Sequence, residues 1–140
     1  MALTTFSGPV RSLNGFITGH QPVASNAINA TATATAAQVA DGYITSTSAA
    51  ATTITLPTGT LLGNALGAVK GTVLDLFIDN TGGADTVTIA VATNGILSAA
   101  AAAGSSAGAG LLTVPSGVTG LGCFRIMFSS PTAYVFSRIA

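Results

Sequence analysis

Charge is what this sequence has least of. Four residues of the 140 are basic (Arg11, Lys70, Arg125, Arg138) and four are acidic (Asp41, Asp75, Asp79, Asp85), with no glutamate and no tryptophan. Charged side chains make up 6% of the chain, where an ordinary soluble domain carries about one-quarter. The formal net charge is zero and the mean hydropathy is +0.67. Surface charge of one sign is what keeps dissolved copies apart. A chain without it is expected to have much of its surface covered by other protein, as a building block of an assembly.

The same scarcity excludes several functions. Binding a phosphate backbone requires several Lys or Arg to neutralise phosphates, and four scattered basic residues matched by four acids argue against a nucleic-acid partner. Hydrolytic and acid/base chemistry needs titratable groups brought together. His20 is the one histidine and sits far in sequence from the acids, so no catalytic residue is assigned and the chain is not expected to be an enzyme. Cys123 is the one cysteine, which rules out an intramolecular disulfide and a four-cysteine metal site; it reads as a small core hydrophobe.

No metal or cofactor is expected either. One His and one Cys do not make a zinc site, and Asp79, Asn80 and Asp85 lack the ligand spacing and the glutamate of a calcium loop. The Gly104–Gly110 run has no Lys-Ser/Thr after it and is not a phosphate loop. A carbohydrate site is disfavoured by the absence of tryptophan and the shortage of acids.

Residues 86–124 are free of charge, long enough for a membrane span, but Ala, Gly, Ser and Thr dominate them and Pro115 interrupts them. Such side chains supply too little transfer energy for a spanning helix. Met1 to Val10 lack the basic start and apolar stretch of a secretory signal. A protein made in a cytoplasm, with no membrane partner, is the expectation.

What the chain does have is strand chemistry. From Thr31 onward, β-branched and aromatic residues alternate with small polar ones. In residues 72–80, Leu74, Leu76 and Ile78 fall on one face and Val73, Asp75, Phe77 and Asp79 on the other. Residues 86–92 alternate likewise, and the Asn/Gly/Asp cluster at 79–85 predicts a hairpin between the two. Further strands are predicted at 42–47, 52–56, 111–114, 120–129 and 133–139. In 120–129, Phe124, Ile126 and Phe128 share a core face with Arg125 opposite, and the aromatics in general read as core.

Short helical pieces are predicted at 36–40 and 60–66, and 99–110 reads as a long loop held by a neighbour. Pro57, Pro115 and Pro131 fall at strand ends. Short strands with regular turn signals indicate an all-β domain over residues 31–140, an antiparallel β-sandwich or jelly roll.

Residues 1–30 differ, being rich in Gly, Pro, Asn and Ser, and read as an extended arm. Leu3, Phe6, Val10, Leu13, Phe16 and Ile17 are spaced as anchors against another protein surface. In an oligomer the few ions would act as specificity devices, and Arg125, Arg138, Asp75 and Asp79 are the candidates for ion pairs across a subunit boundary.

Three stretches carry a family likeness: Phe6-Ser-Gly-Pro-Val-Arg-Ser-Leu-Asn-Gly-Phe16; Thr35-Ala-Ala-Gln-Val39 with the Thr/Ser/Ala-rich run 44–58; and 78–90 around Asp79-Asn-Thr-Gly-Gly-Ala-Asp85. In these the chain resembles small structural proteins of tailed bacteriophages, and most of all their capsid decoration, or cement, proteins. The resemblance implies a homotrimer on the outer capsid surface of the virion that clamps neighbouring major capsid proteins. A head-fibre or tail-associated protein, or a host-surface glycan-binding module, is the alternative.

Overall fold

The computed structural model of the chain describes residues 26–97 and 112–140. Within them the chain forms β1 (Ala32–Thr33), α1 (Ala36–Ala40), β2 (Tyr43–Thr45), β3 (Thr52–Thr55), α2 (Gly59–Leu66), β4 (Val73–Asp79), β5 (Val87–Ala90), β6 (Gly95–Leu97), β7 (Thr113–Val114), β8 (Leu121–Ser130) and β9 (Ala133–Arg138), with a 3-10 turn at Gly117–Thr119 before β8. The protein is β-rich, with two sheets and two short helices. One sheet has the order β2-β4-β8-β9-β6 and the other β1-β3-β5-β7.

Strand direction departs from the antiparallel expectation. The pairs β4–β8, β8–β9 and β5–β7 are antiparallel, whereas β1–β3, β2–β4, β3–β5 and β6–β9 are parallel. From β1 to β5 the chain alternates between sheets, so that each strand from β3 on lies beside the one laid down two strands earlier. An antiparallel jelly roll does not describe this winding. The physical reason lies in the connections. Period-2 alternation reports which face of a strand is buried and is silent on direction, while parallel neighbours need a crossover long enough to return the chain to its starting end.

Here α1 and α2 supply those returns from the four-stranded to the five-stranded sheet. Both helices are capped in the sequence. Thr35 accepts from the Gln38 amide while the Gln38 side chain accepts from the Thr35 amide, a reciprocal capping box. Thr58 accepts from the Leu61 amide, and Gly67 closes α2 in the left-handed conformation at φ 58°.

The opposite crossings are the loops 46–51 and 80–86, which stack on each other. The Ser46 amide donates to the Asp79 carbonyl at 2.8 Å, Ala84 to Ser48 at 2.9 Å and Thr52 to Thr86 at 3.1 Å. The 79–85 cluster is therefore a crossing between sheets and not the predicted hairpin, since β4 and β5 belong to different sheets. Gly, Asn and Asp serve both geometries, because both need tight local reversals.

The inner faces of the two sheets meet in one apolar cluster. Ile54, Val87, Ile89 and Val114 come from the four-stranded sheet and Ile44, Leu76, Ile78, Phe124, Ile126, Phe128, Tyr134 and Phe136 from the five-stranded one, closed by Val39 and Leu62 of the helices. The Phe124 and Phe136 rings stack at 5.0 Å between centroids, and Phe128 tilts against Tyr134 at 5.8 Å. Tyr134 is fully buried, and its hydroxyl donates to the Pro57 carbonyl at 2.9 Å. Burial pushes its phenol up to about 12.

Residues 26–30, grouped with the arm in the sequence, are built into this fold. Ala27 bridges Thr45 in parallel, the Thr45 amide donates to the Asn26 carbonyl at 3.2 Å, and Ile28 joins the core. Leu3, Phe6, Val10, Leu13, Phe16, Ile17 and His20, like the 99–110 segment, lie outside the described residues.

Candidate interaction surface

The outer face of the five-stranded sheet follows from the same alternation that builds the core. With Leu76 and Ile78 inward, β4 must send Val73, Asp75, Phe77 and Asp79 outward; with Phe124, Ile126 and Phe128 inward, β8 must send out Leu121, Cys123, Arg125 and Met127. The register aligns these into rows across the strands. Val73 faces Met127 and Met127 faces Val135; Asp75 faces Arg125 and Arg125 faces Ser137; Tyr43 faces Phe77 and Phe77 faces Cys123; Asp79 faces Leu121.

The face is apolar and exposed. Tyr43, Val73, Phe77, Leu121 and Met127 are 40–52% accessible, on three adjacent strands. Val73 and Met127 are neighbours, as are Tyr43 and Phe77, with the Asp75–Arg125 pair between the two groups; single exposed apolar residues are ordinary on soluble proteins, and several large ones on one face are less so. Among the described residues no three His, Cys, Asp or Glu cluster closely enough to hold a metal. No helix among them is long and apolar enough to cross a membrane. The chemistry this arrangement offers is contact.

Three of the four ions singled out in the sequence lie on this face, and the single chain satisfies them internally. Arg125 grips Asp75 with two bonds of 2.7 Å, Nε to Oδ1 and Nη2 to Oδ2. This bidentate pair holds the Asp75 carboxyl below its ordinary range and raises Arg125 further. Asp79 accepts from the Thr81 hydroxyl at 2.6 Å and the Thr81 amide at 2.9 Å, and also from the Tyr43 hydroxyl. The Thr81 hydroxyl does most to lower the Asp79 carboxyl, and the bond to Asp79 raises the Tyr43 phenol.

Arg138 stands apart. Its Nε donates to the Ala140 carbonyl at 2.9 Å and its Nη1 to the Thr113 carbonyl, tying the C-terminus to β7. Cys123 is partly exposed on the face, not buried as the sequence reading had it, and desolvation among its neighbours raises its thiol.

The Asp75–Arg125 pair is half-exposed, and such pairs contribute little to stability because water screens them. Arg125→Ala is expected to lower the melting temperature by no more than a few degrees at neutral pH. The sign with pH is fixed by the depressed carboxyl. Its contribution is fully present above the unfolded carboxylate value of 3.8 and is lost as pH falls through the lower folded value. Parent and variant melting curves should therefore converge in acid, and a gap that widened in acid would contradict this assignment.

Sequence reasoning missed two residues. Tyr43 was read as core, although its place next to the inward Ile44 puts it on the outer face. Asn80 was read as a turn residue but is fully buried where the two sheets meet. Its Nδ2 faces the carbonyls of Asp85 at 2.8 Å, Val114 at 3.2 Å and Pro115 at 3.1 Å. No local pattern signals this, because the partners lie up to 35 residues away.

No protein-family model matches the chain, and neither a curated protein nor a solved structure is significantly similar to it.

Proposed function

We propose that the chain is a structural virion protein of a tailed bacteriophage, made in the host cytoplasm, that decorates the outer capsid surface and stabilises the shell by clamping neighbouring major capsid proteins. The working unit in this reading is a homotrimer. Its two sheets serve as the layers of a sandwich, with one outer face turned to a protein neighbour.

One observation carries the reading: the exposed apolar residues Tyr43, Val73, Phe77, Leu121 and Met127 on one face of the five-stranded sheet belong to a chain with only four basic and four acidic residues. A surface of that kind associates by burying area, at roughly 25 cal/mol per Å² of apolar surface. It needs no charge to do so. The resemblance of residues 6–16, 35–39, 44–58 and 78–90 to small structural proteins of tailed bacteriophages names the kind of neighbour. The arm residues Leu3, Phe6, Val10, Leu13, Phe16 and Ile17 add a second apolar contact.

The test is decoration itself. Undecorated capsids incubated with protein lacking residues 1–20 are expected to show at least a tenfold loss of occupancy, roughly what losing one well-buried apolar anchor would cause. Undiminished occupancy would remove the arm from the mechanism.

The parallel winding favours a second reading, as a head-fibre or tail-associated protein, because among the described residues β1 is the edge strand of a parallel series, β1-β3-β5, onto which further strands can add. Copy number separates the two. A decoration protein approaches the abundance of the capsid subunit in purified virions, and a fibre protein does not.

A further inference from the structure

The turn into β6 holds a pair of residues with chemistry of its own. The Gly95 amide donates to the Ala92 carbonyl at 2.9 Å, and Asn94, exposed at the third position of that turn, is left-handed at φ 63°. Among the described residues no other non-glycine has a positive φ. A turn of this shape calls for Gly or Asn at that position. Position 95 needs glycine for another reason, because a Cβ there would lie 2.6 Å from the Tyr134 hydroxyl oxygen. The fold thus accepts an Asn-Gly peptide at 94–95 and leaves the Asn94 side chain open to water.

We propose that Asn94 is a self-modification site, converted to aspartate and isoaspartate through attack by the Gly95 backbone nitrogen. That nitrogen gives up its proton to base and bonds to Asn94 Cγ; the Cγ–Nδ2 bond breaks, and the side-chain nitrogen takes up a proton and leaves as ammonia. A five-membered succinimide remains. Water then adds to one of its two carbonyls. Cleavage of the new Cγ–N bond gives ordinary aspartate, whereas cleavage of the original peptide bond leaves the chain running through Cβ and Cγ, one methylene longer. Glycine suits the ring closure because it puts no side chain in the path of the nitrogen.

The native turn restrains the reaction. The Gly95 N–H is committed to Ala92, and the backbone beside it is tied down: the Thr93 carbonyl accepts from the Gly59 amide at 3.0 Å and the Asn94 carbonyl from the Tyr134 amide at 3.0 Å. What releases it is the turn's place at an edge. β6 is three residues long, ends the five-stranded sheet and pairs with β9 alone among the described strands. Short edge segments open locally at a fraction of the global unfolding cost. Conversion to isoaspartate makes such an opening permanent, because it moves the carbonyl that Tyr134 uses off the main chain. Either product also adds one negative charge to a chain of formal charge zero. None of this depends on what the outer sheet face meets.

The experiment is incubation of the full-length protein at mildly alkaline pH, folded and in urea, followed by tryptic mapping. Cleavage at Lys70 and Arg125 places Asn94 in the peptide 71–125, apart from Asn14-Gly15, the other Asn-Gly pair of the sequence, and fragment masses separate Asn94 from Asn80. Asn94 is expected to convert in the folded protein, but at least roughly tenfold more slowly than in the unfolded chain. The isoaspartate fraction, isolated by charge and chromatography, is expected to exchange its Gly95–Leu97 amides faster than an Asn94→Asp variant, which carries the charge without the extra methylene. A smaller rate difference between folded and unfolded protein overturns the restraining turn. Intact Asn94 in the folded protein, once the unfolded chain has fully converted, overturns the site. Exchange in the isoaspartate fraction equal to that of Asn94→Asp overturns the loss of β6. No capsid enters the measurement, so its failure and a failure of the decoration reading are separate results.

Discussion

Replacing Asn80 with alanine is expected to destabilise the protein by about 2–4 kcal/mol, the cost of leaving buried carbonyls without donors together with the loss of the side chain's packing. The magnitude follows from where the side chain works. Asn80 directly follows β4 of one sheet, and its Nδ2 donates toward the carbonyls of Asp85, just before β5, and of Val114 and Pro115, at the end of β7; β5 and β7 belong to the other sheet. Its own amide donates to the Gly120 carbonyl at 2.6 Å, just ahead of β8. One side chain thus closes the end of the layer pair where loop 80–86 crosses.

Water cannot substitute easily at a residue with no accessible surface. Asn80→Asp keeps the shape but points carboxylate oxygen at carbonyl oxygen, so it should cost at least as much as alanine at neutral pH, and the deficit should shrink in acid as the carboxyl takes up a proton. Urea unfolding, with the slope m unchanged and the midpoint lowered, is the measurement. A loss below about 1 kcal/mol for the alanine variant would mean that the carbonyls find other partners.

Asn80 also marks the limit of what could be read from the sequence. α1 and α2 fall where the two short helical pieces were predicted, and a local signal that would have strengthened the first went unread: Thr35-Ala-Ala-Gln38 is a capping box spelled out in four residues. β4, β8 and β9 were legible because long alternating runs state which side faces the core. β1 (Ala32–Thr33) and β6 (Gly95–Leu97) were not, since two or three residues carry no period.

Strand direction was hidden for a stronger reason. An inward Leu76 and an outward Phe77 look the same whether the neighbour runs up or down, so the hydrophobic pattern fitted an antiparallel fold and the actual mixed winding equally well. Half the candidate surface was visible on the same terms. Asp75 and Asp79 could be placed on the outward side of one strand and Arg125 on the outward side of another. That Asp75 and Arg125 grip each other depends on the β4–β8 register, set by contacts 50 residues apart.

The second large effect is expected at a residue whose signal was present and unread. Gly59 and Gly63 stand one helical turn apart on α2, and a Cβ on either would meet backbone, 2.2 Å from the Thr132 carbonyl oxygen and 1.9 Å from the Pro131 carbonyl oxygen. Two glycines four apart make a flat stripe, and through it α2 lies directly on the turn between β8 and β9. Alanine is ordinarily the better helix former by up to about 1 kcal/mol, so propensity alone predicts that Gly63→Ala stabilises.

Packing predicts the reverse. The obstacle is a carbonyl fixed in a turn, so the helix must shift away from Leu62's pocket, and overpacking of this kind costs about 1–3 kcal/mol. The expected net result is a loss of about 1–2 kcal/mol, the packing cost exceeding the propensity gain. The neighbouring Asn64 is exposed on the same helix, and Asn64→Ala, which gains propensity and meets nothing, should be neutral to slightly stabilising. Thermal melts of the two variants side by side decide between the effects. If Gly63→Ala melts with or above the parent, α2 does not bear on the Pro131–Thr132 turn through its glycines, and the close seating of this crossover on the five-stranded sheet would have to be abandoned.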